Sequence, residues 1–252
     1  SNGRLSGQSV WDPHISFRVA AEGIDARRFT LLTVRLYSSE KADLLDVYYE
    51  SPDKRWCLGG KLAIVQGWAT YRMDLTKNRW RETRTGDESR QWGGPSKRVR
   101  SLRIDPGNQA DRWVAIDYVK LETARPDFQE GVTPEPRGTA RLARLDVPKT
   151  AAAGSTVKAE VELQITPPQG VTSGTALLRL RRGGTILRLI ERPVQFAGNV
   201  LRLSESLSVS PYWYPGPATL DVRCYDVDLP ASVSREIQIT SADIHDKSLL
   251  VL

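Results

Sequence analysis

The sequence has few of the residues on which most catalytic and metal sites depend. Its 252 residues include two histidines, two cysteines and one methionine. His14 and His245 stand near opposite ends of the chain, and neither Cys57 nor Cys224 has a histidine close to it in sequence. We therefore expect no Ser-His-Asp triad, no Cys-His nucleophile and no histidine-based zinc site, and we predict that the chain is not an enzyme.

Long apolar runs and phosphate-binding loops are also missing. No window approaches the roughly 18 apolar residues of a membrane-spanning helix, so we expect no membrane partner. The glycine pairs at 59–60 and 183–184 are too short for a phosphate-binding loop, and no helical pattern follows them. A hydrolase with two carboxylates stays open as an alternative, because two strands can bring any pair of acidic side chains together.

Alternation of apolar and polar residues at a period of two predicts an all-β protein. It is clear in FTLLTVRLYS, DLLDVYYES and STVKAEVELQI. We predict a jelly-roll β-sandwich over residues 11–123 and an immunoglobulin-like or fibronectin-like β-sandwich over 137–241. The proline- and glycine-containing segment between them, 124–136, is interpreted as a linker. Residues 242–252 are a tail or the start of a further domain.

Most of the net charge of +6 comes from the stretch TKNRWRETRTGDESRQWGGPSKR, which also holds Trp80 and Trp92. No strand pattern in this stretch buries these rings, and Arg79 and Arg81 flank Trp80. Exposed rings beside guanidinium donors suit sugars, which stack their C–H faces and hydrogen-bond through their hydroxyls. Single-stranded nucleic acid would use the same features, but the interspersed acidic residues and the lack of a recognised motif argue against that partner.

The other interpretation of this stretch is that it folds back and packs both indoles into one end of the barrel. Two further aromatic residues complete the predicted site, namely Trp56 after the turn SPDKR and Tyr48 on the polar side of its strand. In the second domain, Tyr212, Trp213 and Tyr214 are expected to pack on their own sandwich.

Four segments of residues 11–122 resemble the galactose-binding-like, jelly-roll carbohydrate-binding modules that accompany glycoside hydrolases. They are LTVRLYS, LDVYYES, GWATYRMDL and VRSLRIDPGNQADRWVAIDYVKLE. The resemblance implies a ligand site on the concave sheet face or in the apical loops. It also implies an extracellular or periplasmic location. Such modules often hold a structural calcium between their first and last strands; here Asp117 stands in the last strand, but Asp12 and Glu22 form no acidic cluster, so we predict no metal or other cofactor.

Two functions remain in competition. The first is a non-catalytic module that binds a poly- or oligosaccharide, with acidic glycans favoured by the basic stretch, and that is joined through the second domain to a catalytic domain of a larger exported protein. The second is a structural or protein-interaction sandwich that positions a neighbouring domain. The second function requires that Trp80 and Trp92 are buried.

Overall fold

The computed structural model describes residues 5–8, 13–19, 22–107, 112–196, 198–228 and 233–241. Trp11, Asp12, His245 and the predicted tail at 242–252 lie outside these ranges. The chain divides into two compact units, Ser1–Glu135 and Pro136–Leu252. Every regular element in the described ranges is a β-strand, which confirms the all-β prediction. No helix long and apolar enough to cross a membrane is found among the described residues.

The first unit contains twelve strands within the described residues. They are β1 (Leu5–Gln8), β2 (Ile15–Arg18), β3 (Ile24–Asp25), β4 (Phe29–Ser38), β5 (Ala42–Glu50), β6 (Trp56–Ile64), β7 (Gly67–Asp74), β8 (Arg81–Glu82), β9 (Arg98–Val99), β10 (Ser101–Pro106), β11 (Trp113–Thr123) and β12 (Gly131–Pro134). The connection between β8 and β9 is long.

Two five-stranded sheets form the sandwich of the first unit. The first sheet has the order β1-β11-β4-β7-β12, the second sheet has the order β2-β10-β5-β6-β8, and β3 and β9 form a short separate ladder. Leu32, Val34 and Leu36 of the first sheet share one core with Val47 and Tyr49 of the second, and all five side chains are fully buried. Each such burial contributes about 1.5–3 kcal/mol, so the alternating apolar residues hold the two sheets together.

Two edge strands of the first unit lie outside the predicted bounds 11–123. At the amino-terminal side, β1 precedes residue 11 and pairs with β11. At the other side, β12 lies inside the predicted linker and pairs with β7. The Glu135 backbone N–H donates to the Trp68 carbonyl at 2.9 Å, and Arg35 forms an ion pair with the Glu135 carboxylate at 2.7 Å. Pro134 makes this segment resemble a linker in the sequence. An edge strand nevertheless tolerates proline, because one of its sides forms no backbone hydrogen bonds with a neighbouring strand.

The second unit is also built from two sheets. Its strands are β13 (Gly138–Asp146), β14 (Thr150–Ala152), β15 (Thr156–Thr166), β16 (Ser173–Arg182), β17 (Thr185–Gln195), β18 (Val200–Ser208), β19 (Gly216–Cys224), β20 (Val227–Asp228) and β21 (Ser234–Thr240). The sheet orders are β18-β15-β13-β20 and β14-β21-β19-β16-β17.

Side chains of β15 alternate between the core and the solvent, as the sequence predicts. Val157, Ala159 and Val161 are buried in the core of the second unit, while Lys158 is exposed. The predicted hairpin turn between β16 and β17 is confirmed, with Arg182 paired to Thr185 across it.

Candidate functional site on a sheet face of the first unit

Trp80 and Trp92 lie in the core of the first unit. Their side chains are 0% and 3% exposed. Both rings meet Tyr49 edge-on, with centroids 4.9 and 5.3 Å away, and their own centroids are 5.4 Å apart. The Trp80 indole donates to the Leu75 carbonyl at 2.9 Å, and the Trp92 indole donates to the Phe29 carbonyl at 2.8 Å. The expectation that these two rings form an exposed sugar platform is therefore wrong, and the alternative that they are buried is confirmed.

Part of the charge of the basic stretch is neutralised by ion pairs within the fold. Glu82 is buried, and its carboxylate accepts hydrogen bonds from Arg90 at 2.6 Å and from Arg55 at 3.1 Å. Burial by itself would raise the pKa of Glu82, but these two arginines outweigh it and hold the pKa below its ordinary value. Arg90 is thus part of the scaffold, and its charge is already matched.

Tyr48 lies on the outward face of the second sheet. Successive side chains of a strand point to opposite faces, and its neighbours Val47 and Tyr49 are fully buried. Cross-strand pairing places Arg103 of β10 on one side of Tyr48 and Leu58 of β6 on the other. The Arg103 guanidinium carbon is 4.9 Å from the centroid of the Tyr48 ring, a cation–π contact that orients the ring.

Trp56 and Arg81 extend the same face. Trp56 is two residues before Leu58 on β6 and is half-buried, so its ring shares the face with Tyr48. It pairs with Glu50, which makes it a diagonal cross-strand neighbour of Tyr48, within reach of a large side chain. Arg81 of β8 is opposite Leu58 and is exposed. The sheet therefore brings Trp56, Tyr48 and Arg81 of the predicted site together.

A cleft of about 480 Å³ adjoins this face. Its size is in the range of sites that bind small ligands. Its lining includes Leu58, Gly60, Lys61, Asn78, Arg79, Arg81 and Glu88.

The charge of the cleft favours a polar, anionic ligand. Arg79 and Arg81 are exposed, and in the part of the chain that the structure describes neither guanidinium forms an ion pair or a side-chain hydrogen bond. Their donors are available to a ligand.

Three residues of this site were missed by sequence reasoning: Lys61, Asn78 and Arg103. The signal for Arg103 was its outward position in an alternating strand. Lys61 and Asn78 reach the cleft through the pairing of β6 with β8 and the turn before β8, which no local pattern indicates.

The pair of carboxylates at Asp46 and Asp105 gives no support to the hydrolase alternative. Asp46 and Asp105 are cross-strand neighbours on β5 and β10. Asp105, however, is 1% exposed, and both of its oxygens accept hydrogen bonds from Arg103 at 2.6 and 2.7 Å. A substrate has no route to a carboxylate that is buried and paired in this way.

Asp117, the acidic residue considered for calcium, instead accepts a hydrogen bond from Arg35 at 2.8 Å. Glu22 is exposed. Within the described ranges, no three histidine, cysteine, aspartate or glutamate side chains form a group that could hold a metal ion.

Comparison with known proteins gives neighbours at the level of structure alone. No family model matches the sequence, and no curated protein matches it. A β-D-mannosidase from Dictyoglomus thermophilum is 12% identical, with a TM-score of 0.30, over 90% of this chain and 29% of that enzyme. A glycosyl hydrolase family 2 member from Bacteroides cellulosilyticus is 10% identical, with a TM-score of 0.28, over 90% of this chain and 26% of that one.

A CARDB domain from Pyrococcus furiosus is 12% identical, with a TM-score of 0.30, over 42% of this chain and 89% of that domain. The chain thus spans less than a third of the length of the two hydrolases. At these scores the similarity describes what the chain is like in structure and carries no conclusion about its activity.

Proposed function

We propose that the chain is a non-catalytic carbohydrate-binding β-sandwich module of a larger glycoside-active protein, with its ligand on the outward face of the second sheet. The observation that carries the proposal is that Trp56, Tyr48 and Arg81 share this face beside the cleft. Two partly exposed rings supply stacking surfaces, and the guanidinium supplies hydrogen bonds to hydroxyl or carboxylate oxygens.

The charge of the cleft selects the class of glycan. Lys61, Arg79 and Arg81 contribute three positive charges to its lining, against one carboxylate from Glu88. An acidic glycan that bears uronate or sulfate groups would match this excess. Because these cationic side chains are exposed, salt screens their attraction, and binding should weaken as ionic strength rises.

The test is a glycan array at low and moderate salt, with neutral and acidic oligosaccharides. We expect Trp56→Ala/Tyr48→Ala to lose about tenfold in affinity or more, which corresponds to about 1.4 kcal/mol. Tyr118→Ala is the matched control, because Tyr118 is also a strand tyrosine and is 42% exposed, but belongs to the first sheet. Unchanged binding by the double variant would contradict the proposed site.

A second pair of variants tests the preference for acidic glycans. Arg79→Ala/Arg81→Ala should weaken binding of acidic glycans and remove most of its dependence on salt. Arg84→Ala is the control, because Arg84 is an exposed arginine of the same stretch that does not line the cleft. Equal losses in both variants would indicate a general effect of charge.

The burial of Trp80 and Trp92 favours a second candidate function, a structural module that positions a neighbouring domain. Sugar binding loses two of its predicted stacking rings, and a structural module needs none of them. Absence of glycan binding by the wild-type chain across the array would support this candidate.

A further inference from the structure

The turn SPYWYPGP of the second unit, residues 210–217, holds two tyrosine rings in solvent. Tyr212 is 88% exposed and Tyr214 is 82% exposed, while Trp213 between them is partly buried against the core. The sequence-based expectation that all three residues pack on their own sandwich is therefore correct for Trp213 and wrong for the two tyrosines. The inward tryptophan anchors the turn, and the ring on each side of it is left outside.

The backbone of this turn is fixed by several contacts. The Trp213 N–H donates to the Ser210 carbonyl at 3.2 Å, and the Tyr212 N–H donates to the Ser210 hydroxyl at 3.2 Å. Arg182 donates to the Tyr214 carbonyl at 2.7 Å. Pro211 precedes the aromatic residues, and its ring limits the conformations open to the chain.

A turn ordered in this way presents both rings without a further cost of ordering the backbone when a ligand binds, so that only the rotamer freedom of the two side chains is lost. Exposed aromatic side chains on an ordered backbone are the arrangement that a stacking site needs.

The area of the pair decides what kind of partner it fits. Two aromatic side chains offer roughly 300–500 Å² together, at about 150–250 Å² each. A stable protein interface needs about 800 Å² from each partner. The pair is thus small for a protein and suits a few sugar rings.

We propose that Tyr212 and Tyr214 form a carbohydrate site of the second unit, and that it binds a neutral, β-linked glycan. Pyranoses with equatorial substituents present a flat face of C–H groups to an aromatic ring, while their hydroxyls hydrogen-bond at the edge. The nearby Arg182 already donates from Nε to the Pro217 carbonyl and from Nη2 to the Tyr214 carbonyl. A ligand of this site therefore needs no negative charge, in contrast to a ligand of the cleft in the first unit.

The experiment uses the full chain and isothermal titration with three neutral probes, cellohexaose, xylohexaose and laminarihexaose. We expect at least one probe to bind with a Kd of about 1 mM, because little surface is buried. Tyr212→Ala/Tyr214→Ala should lose tenfold or more, with an unchanged Tm, since the rings make few contacts in the folded state. Tyr212→Phe/Tyr214→Phe keeps the ring faces and should stay within about threefold of wild type.

The same titrations in the Trp56→Ala/Tyr48→Ala background separate this site from the proposed function. Binding that survives in that background and disappears with the tyrosines supports a second, independent site. Binding that is lost with Trp56 and Tyr48 and is indifferent to the tyrosines overturns this proposal and leaves the first site intact. Failure of the wild-type chain to bind any of the three hexaoses also overturns it, whatever the acidic glycans do.

Discussion

Replacement of Trp80 by alanine should destabilise the first unit strongly. The ring is fully buried and contacts Tyr49 and Trp92. Truncation of a buried tryptophan costs about 3–5 kcal/mol, and loss of its hydrogen bond to the Leu75 carbonyl adds about 1 kcal/mol. A unit of this size changes its Tm by about 3–4 °C per kcal/mol, so Trp80→Ala should lower the Tm by roughly 12–24 °C.

Tryptophan fluorescence during guanidinium unfolding is the direct measurement of this effect. Six of the seven tryptophans precede residue 124, so the signal reports mainly on the first unit, while Trp213 is the one tryptophan of the second. Trp56→Ala is the control and should cost about 1 kcal/mol or less, because that ring is partly exposed. A loss below about 1 kcal/mol for Trp80→Ala would refute the conclusion that the ring is a core residue.

Further predictions concern the packing and ionisation of the same core and of the second unit. Gly59→Ala should cost about 1–3 kcal/mol, measured by thermal unfolding, because a Cβ there would lie 2.6 Å from the Trp80 ring. The stabilisation from Glu82 is present above its ordinary pKa of 4.5 and is lost as the pH falls through its lower folded-state pKa. Glu82→Gln should therefore unfold more easily at pH 7 and lose less stability on acidification. Equal acid sensitivity of the variant and the wild-type protein would contradict this. Burial raises the pKa of Cys224 to about 12 and also raises the pKa of Cys57, so a thiol reagent at pH 8 should label neither until guanidinium unfolds the chain, and fast labelling of the native protein would count against it.

The parts of the fold that the sequence could predict are those set by neighbours in the chain. Alternation within β5 is sufficient to place the side chain of Tyr48 on the other face of the sheet from Val47 and Tyr49, because successive side chains of a strand point to opposite faces. β15 is predictable for the same reason. The edge strand β12 is not, because its proline and glycine resemble a linker until a partner strand is known.

The sequence could not decide between exposure and burial of Trp80, because the surroundings of this ring come from other parts of the chain. Tyr49 supplies a ring edge, and Gly59 supplies the space that a larger residue would fill. Within the stretch itself the neighbours of Trp80 are Arg79 and Arg81, which suggest solvent. Trp80 is buried although its sequence neighbours are exposed, because successive side chains alternate in direction and the two arginines point outward while the indole points inward.

The same alternation explains why the charge of the stretch overstates what a ligand meets. Arg90 is held by the buried Glu82 and counts toward the stability of the sandwich. Arg79 and Arg81 line the cleft with unpaired guanidinium groups among the described residues, so they carry the part of the charge that a ligand can use. A prediction of ligand binding from net charge alone therefore counts arginines, such as Arg90, whose charge is used within the fold. The contrast between Arg79→Ala/Arg81→Ala and Arg84→Ala, which removes an exposed arginine outside the cleft, measures how much of the binding depends on charge within the cleft.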